Sequence, residues 1–217
     1  MVKTVIIAAG GHAREIAAYL MDDPQTAGTL AGAFDDACQT PTPWHGTQLL
    51  GSVSDLPAFC ALEDTVNFII AVGSNPVRQK IAARIAAMGV HNLKPIIVKH
   101  SSTWTGAGVQ IGEGTLLAPN SLVTTTSRIG KHVILNVKAS VSHDCVVGNF
   151  CNINPGATIC GDVHLGEGCY IGAGATVLEK RKIGAWTIVG AGAVVTEDLP
   201  AGVTAVGVPA RIIRHHG

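Results

Sequence analysis

Of the 217 residues, 47 % are hydrophobic but only 4 % are aromatic, and 15 basic side chains balance 15 acidic ones. That balance leaves no basic face for a phosphate backbone, so nucleic acid is not an expected partner. No apolar run reaches the roughly 18 residues of a membrane span. The apolar mass is Val, Ile, Leu and Ala with 26 Gly, which suits thin, repeated β layers better than a core built around large rings.

The first ten residues form a short apolar run that passes directly into Gly10-Gly11-His12. It has no basic leader and no small-residue cleavage site, so it is not read as a secretory signal. Residues 4–9 read as a buried strand, Gly10 to His12 as a turn and residues 13–21 as a helix. A second strand is expected over 30–34, ending at Asp35-Asp36. A third spans 67–72 and ends at Gly73. Asn75 is placed as the cap of a helix with Pro76 at its first position, running to Met88 and stopping at Gly89. A short strand over 93–98 follows. The alternation predicts a small parallel, Rossmann-like α/β domain over residues 1–98.

Ligands of such sheets sit at the carboxyl ends of the strands. Gly10-Gly11-His12, Asp35-Asp36 and Gly73 to Asn75 all fall there, which points to a nucleotide-like ligand. The GxGxxG fingerprint is absent, so NAD is not expected.

From Ile111 the chain changes character. Stepping by six gives Ile111, Leu117, Val123, Ile129, Leu135, Val141, Val147, Ile153, Ile159, Leu165, Ile171, Val177, Ile183, Val189 and Val195, every one Ile, Leu or Val. A period of six is neither helical nor simply alternating; it is a short strand plus a turn, repeated. The next residue is often Gly or Asn, read as a turn position that tolerates positive φ. The fifth is usually small, as in Thr115, Ala139, Cys151 and Ala175. Three hexads close a triangular coil of 18 residues, so a parallel β-helix is expected over 99–217, with coils stacked about 4.8 Å apart.

None of the six cysteines forms a CxxC pair, and a reduced, cytoplasmic setting is expected. Cys151 and Cys169, 18 apart, read as small inward residues. His132 and His164 read as surface residues.

Gly10-Gly11-His12, Asp35-Asp36, Val72-Gly73-Ser74-Asn75, Ser142-His143-Asp144-Cys145 and the ending Gly207-Val208-Pro209-Ala210-Arg211 together resemble the sugar O/N-acyltransferases of the sialic-acid O-acetyltransferase type. The best-matching branch N-acetylates nucleotide-linked 4-amino-sugars for surface polysaccharide. The resemblance implies a left-handed β-helix, acetyl-CoA as co-substrate without a metal, and a homotrimer with sites between subunits. It implies His143 as general base, with Asp144 supporting its basicity, and direct attack on the thioester. His12 would touch the sugar-nucleotide phosphates, where the Gly11 and His12 amides also favour an anion. Asp35 and Asp36 would hydrogen-bond the base or ribose. Gly73, Asn75 and Arg78 would line the same ligand, although Arg78 reads equally as a helix surface charge. Asn136 would orient the amine or the thioester, or serve only as a turn. Asn152, Gly172, Ala173, Gly190 and Ala191 match the acetyl-CoA contacts.

Three other readings compete. The same enzyme type could acetylate a hydroxyl, as in sialic-acid O-acetylation. A zinc hydratase of the γ-carbonic-anhydrase kind needs three converging histidines, and the spacing of His132, His143 and His164 is wrong for it. A non-catalytic scaffold would have no use for the His143-Asp144 pair.

Overall fold

The computed structural model describes residues 2–38 and 41–216. It divides into two compact units, Met1–Val98 and Lys99–Gly217.

The first unit contains strands β1 (Val2–Ile7), β2 (Leu30–Phe34), β3 (Thr42–Trp44), β4 (Thr47–Gly51), β5 (Thr65–Ile70) and β6 (Leu93–Pro95). Its helices are α1 (Gly11–Asp22), α2 (Leu56–Cys60) and α3 (Asn75–Ala87). The sheet order is β3-β4-β2-β1-β5-β6. Val5, Ile6 and Ile7 at its centre are fully buried, as an unbroken apolar run in a parallel sheet requires. On α1 the buried residues are Ala13, Ile16, Ala17 and Leu20, a single helical stripe.

Three local expectations need correction. The sheet is not purely parallel: β3 pairs antiparallel with β4 across His45-Gly46, which carry φ of 40° and 76°. Two left-handed residues are what a tight hairpin turn demands, and Pro43 is tolerated because β3 is an edge strand. Second, Ser74 rather than Asn75 holds the N-cap of α3, so Pro76 is its second residue, still inside the first turn where its missing N–H costs nothing. Third, residues 93–98 split into Leu93–Pro95 and Val98–Lys99.

The second unit is a stack of two-residue strands joined by four-residue turns. Each strand pairs in parallel with the one 18 residues on: Leu117 with Leu135, Leu135 with Ile153, Ile153 with Ile171, and Ile171 with Val189. Three parallel sheets result, one per side of a triangular β-helix. Every ladder residue from Leu117 to Val195 is at most 4 % exposed. The coils begin earlier than Ile111, since Trp104–Thr105 already pairs with Leu122–Val123. After the last ladder position, Val203–Val206 adds to the sheet of Ile188–Val189, and Arg211–His215 turns back antiparallel to it.

The glycines after the ladder positions serve a different purpose from the one expected. Positive φ falls two residues later, at Gly114, Asn120, Thr126, His132, Lys138, Asp144, Phe150 and their successors. Gly148 and Gly166 are needed for close approach. A Cβ on Gly148 would stand 2.6 Å from the Glu167 nitrogen, and one on Gly166 would stand 2.6 Å from the Ala185 nitrogen. The next coil's backbone fills the space.

Candidate active site

In the first unit, parallel register sets Ile7 abreast of both Phe34 and Ile70. The segments that leave these strands, Gly10 to His12, Asp35-Asp36 and Gly73 to Asn75, therefore emerge side by side along one sheet edge. Gly10 is the N-cap of α1 and offers no side-chain cap. No side chain therefore caps the first amides of that helix, the groups an anion site uses. Gly10 and Gly73 both face open space. His12 bonds Glu15 through Nδ1 at 3.2 Å, while its Nε2 is buried with no hydrogen-bond partner among the described residues.

Asp35 and Asp36 are engaged by the protein itself. Asp35 accepts the Ala9 amide on one oxygen at 2.8 Å and the Ala37 amide on the other at 2.9 Å. Asp36 accepts the Val53 amide at 3.1 Å and Arg84 at 2.5 Å. The Arg84 hydrogen bond holds the Asp36 carboxyl below the usual carboxylate range, with the Val53 amide adding to it and partial burial opposing. Arg78 is 1 % exposed, so the surface-charge reading fails; its Nη1 donates to the Val72 carbonyl at 2.7 Å and ties α3 to the end of β5. Asn75 is also buried.

Two residues that no motif announced complete this edge. Trp44 Nε1 donates to the Ala9 carbonyl at 3.2 Å, pinning the hairpin on the Gly10 loop. Ala8 holds φ of 88°, a conformation that residues with a Cβ avoid and that clusters at ligand sites.

In the second unit, His143 follows the strand Ser140–Val141, at a corner of the triangle. Its Nδ1 lies 2.9 Å from Asp144 Oδ2, and both side chains are about 59 % exposed. Asp144 Oδ1 accepts the Thr126 hydroxyl at 2.6 Å. These two bonds lower the Asp144 pKa, Thr126 more than His143. An ionised carboxylate only accepts, so Nδ1 is the donor in this pair. The chain thus presents an exposed imidazole that is oriented through Nδ1 by a carboxylate.

Asn136, Gly172 and Gly190 follow Leu135, Ile171 and Val189, rungs of another sheet in which Ile153 stands between the first two. Ala173 and Ala191 are exposed beside the last two, forming a flat strip of small residues. Asn152 lies within the same sheet and is 3 % exposed. This strip runs along a different corner from His143. A single chain therefore brings His143 and Asp144 together, and brings the five strip residues together, but does not unite the two groups.

Cys151 and Cys169 are fully buried inward residues, each with Sγ 3.1 Å from a backbone carbonyl. His164 is exposed, whereas His132 is buried, contrary to expectation; it stacks on Phe150 at 5.3 Å with the rings nearly parallel. Among the described residues no three His, Cys, Asp or Glu side chains are grouped to hold a metal ion, and no helix is long and apolar enough to cross a membrane.

Residues 3–85 match the family described as the PglD N-terminal domain, and residues 162–197 match the bacterial transferase hexapeptide repeats. The crystal structure of PerB from Caulobacter crescentus, in complex with CoA and GDP-perosamine, superposes with a TM-score of 0.87 at 34 % identity, over 98 % of this chain and 97 % of that one. The acetyltransferase domain of PglB from Neisseria gonorrhoeae gives 0.83 at 29 % identity, over 97 % and 99 % of the two chains. The GDP-perosamine N-acetyltransferase of Escherichia coli O157:H7 is 34 % identical over 77 residues, which spans 36 % of this chain and about a third, 34 %, of that relative's length. With near-complete coverage of PerB at this identity, and a PglD-type domain ahead of its hexapeptide repeats, the chain belongs to the hexapeptide-repeat acyltransferases of nucleotide-linked amino sugars.

Proposed function

We propose that the protein transfers the acetyl group of acetyl-CoA to the 4-amino group of a nucleotide-linked 4-amino-4,6-dideoxy sugar, with His143 as general base. The observation that carries this reading is the Thr126–Asp144–His143 chain of hydrogen bonds, which orients an exposed imidazole through Nδ1 and leaves Nε2 for the amine's proton. The amine attacks the thioester carbonyl directly. Nε2 takes the proton that the nitrogen sheds as the C–N bond forms, and the tetrahedral intermediate expels CoA as thiolate. A thioester is already activated, so no covalent enzyme intermediate is needed.

The edge of β1, β2 and β5 in the first unit binds the nucleotide. The α1 amides and His12 Nε2 receive the diphosphate, with Gly10, Gly11 and Gly73 leaving room for it. Asp35, Asp36, Asn75 and Arg78 hold the loops that form this edge, and Asp35 and Asp36 keep lone pairs for a base or ribose. The strip of Asn152, Gly172, Ala173, Gly190 and Ala191 takes acetyl-CoA, and Asn136 on the same sheet orients the amine or the thioester. Because that strip and His143 occupy different corners, the working site combines two subunits of a homotrimer. The two substrates, acetyl-CoA and a nucleotide-linked sugar, are metabolites of the cytoplasm, which supports a cytoplasmic enzyme that makes a surface-polysaccharide precursor.

Free-thiol release from acetyl-CoA, measured with a panel of GDP-, UDP- and dTDP-linked 4-amino sugars and with sialic acid, tests this reading. GDP-perosamine comes first because PerB binds it. Turnover with an amino sugar is expected, falling about 10²–10⁴-fold in His143→Ala, the usual contribution of a positioned base. Turnover with sialic acid alone, or an unimpaired His143→Ala, would refute it.

A further inference from the structure

Thr126 stands 18 residues before Asp144, one coil away, at the turn position where the backbone is left-handed. Its φ is 53°, and among the described non-glycine residues with positive φ it alone is β-branched. Other coils place Gly, Asn, Asp, Lys, His, Phe or Trp there. A second group on Cβ is what that conformation tolerates least. Such an outlier persists where the surroundings over-determine it, and these positions gather at functional sites.

The Thr126 hydroxyl has a specific acceptor. It donates to Asp144 Oδ1 at 2.6 Å, while Oδ2 of the same carboxylate accepts from His143 Nδ1 at 2.9 Å. On its far side the imidazole lies over Gly161: a Cβ there would stand 2.5 Å from both Cε1 and Nε2. The ring is thus held at Nδ1 by a braced carboxylate and seated on a bare Cα.

We propose that Thr126 is a positioning residue for acetyl transfer, fixing the Asp144 carboxylate in the one rotamer that aims His143 Nε2 at the amine. The proposal rests on His143 being the base. Asp144 is more than half exposed, and a carboxylate in that position, lacking a second anchor, rotates into water and releases the ring. The hydroxyl supplies the anchor, and the braced carboxylate keeps the proton on Nδ1. That Thr126 is the largest influence holding the Asp144 carboxyl below its ordinary range agrees with this role.

Thr126→Val removes the hydroxyl and keeps the branched shape; Thr126→Ala removes the hydroxyl and the crowding; Thr126→Ser keeps the hydroxyl. Steady-state turnover is expected to fall about tenfold or more in the Val and Ala variants, part of the roughly 10²–10⁴-fold that a positioned base contributes. KM for both substrates stays constant, and Ser restores most of the rate. In an Asp144→Asn background Thr126→Val adds no further loss. The ¹³C titration of the Asp144 carboxyl moves up toward the ordinary value in Val and Ala but not in Ser, a change that a purely structural role would not produce. Wild-type kcat in Thr126→Val beside a dead His143→Ala overturns this inference alone. So does a Ser variant as slow as Val, or a loss undiminished in Asp144→Asn. Full turnover in His143→Ala overturns the base assignment and this inference with it.

Discussion

Asp36 shows how a residue singled out by position can be occupied by architecture. It joins the start of the turn at Val53 to Arg84 on α3, across 48 residues of sequence in the latter case. Its carboxyl titrates below the ordinary value chiefly because of Arg84. A depressed carboxyl contributes stability that is present above its unfolded pKa, about 3.9, and is lost as pH falls through the folded value. Arg84→Gln should therefore cost stability at pH 7, by no more than about 1 kcal/mol because both side chains are substantially exposed. The cost should vanish once pH drops below the folded carboxyl's titration. Urea unfolding of the full chain at the two pH values measures it; an equal loss at both would mean that Arg84 acts through packing. The sequence places Asp35 and Asp36 at a strand end correctly, but a strand-end position does not say whether a carboxylate faces a ligand or its own backbone. His132 is misplaced for a similar reason. Nothing in the hexad tells that the aromatic 18 residues later, Phe150, offers it a stacking partner.

At the scale of the element, the β-helix is legible because its geometry repeats. One Ile, Leu or Val every six residues can be buried in register by only one kind of coil, and the observed registers of 18 follow. The first unit is less legible. The β3–β4 hairpin has three- and five-residue strands with a Pro in one, too short for alternation to reveal; its signal is the Gly46 turn. The glycines were assigned to the wrong cause because a period alone cannot separate a turn from a close approach. The two causes predict different mutants. Gly148→Ala drives a methyl into the backbone of Gly166 and Glu167, which can yield only by parting two coils. Gly156 has φ of 69° and open space around its Cβ position, so Gly156→Ala meets only left-handed strain of about 1–2 kcal/mol. Gly148→Ala should cost more than this, at or above the upper end of the 1–3 kcal/mol typical of overpacking. Thermal or urea unfolding of both variants decides, and the reverse order would put the burden back on the turn.

For the whole molecule the decisive fact is that His143 and the small-residue strip run along different corners of the β-helix. A catalytic base and a thioester must come within reach of one amine, and two corners of one rigid prism cannot approach each other. The proposed trimer, packed side to side, would place one subunit's corner against its neighbour's other corner through a heterologous interface whose rotation closes at three copies. His143→Ala removes the proposed base. Ala173→Glu puts a charged, bulky side chain on an exposed strip position without disturbing the ladder. Each variant alone should be nearly inactive. If the site is shared, unfolding and refolding them together in equal amounts should restore about a quarter of the sites, because random assembly gives each boundary one chance in four of an intact base facing an intact strip. If the site lay within one chain, every mixed trimer would carry only damaged sites and activity would stay at the level of the separate variants. Sedimentation of the mixed species alongside the assay confirms that trimers have re-formed, so that a silent mixture counts against the shared site rather than against refolding.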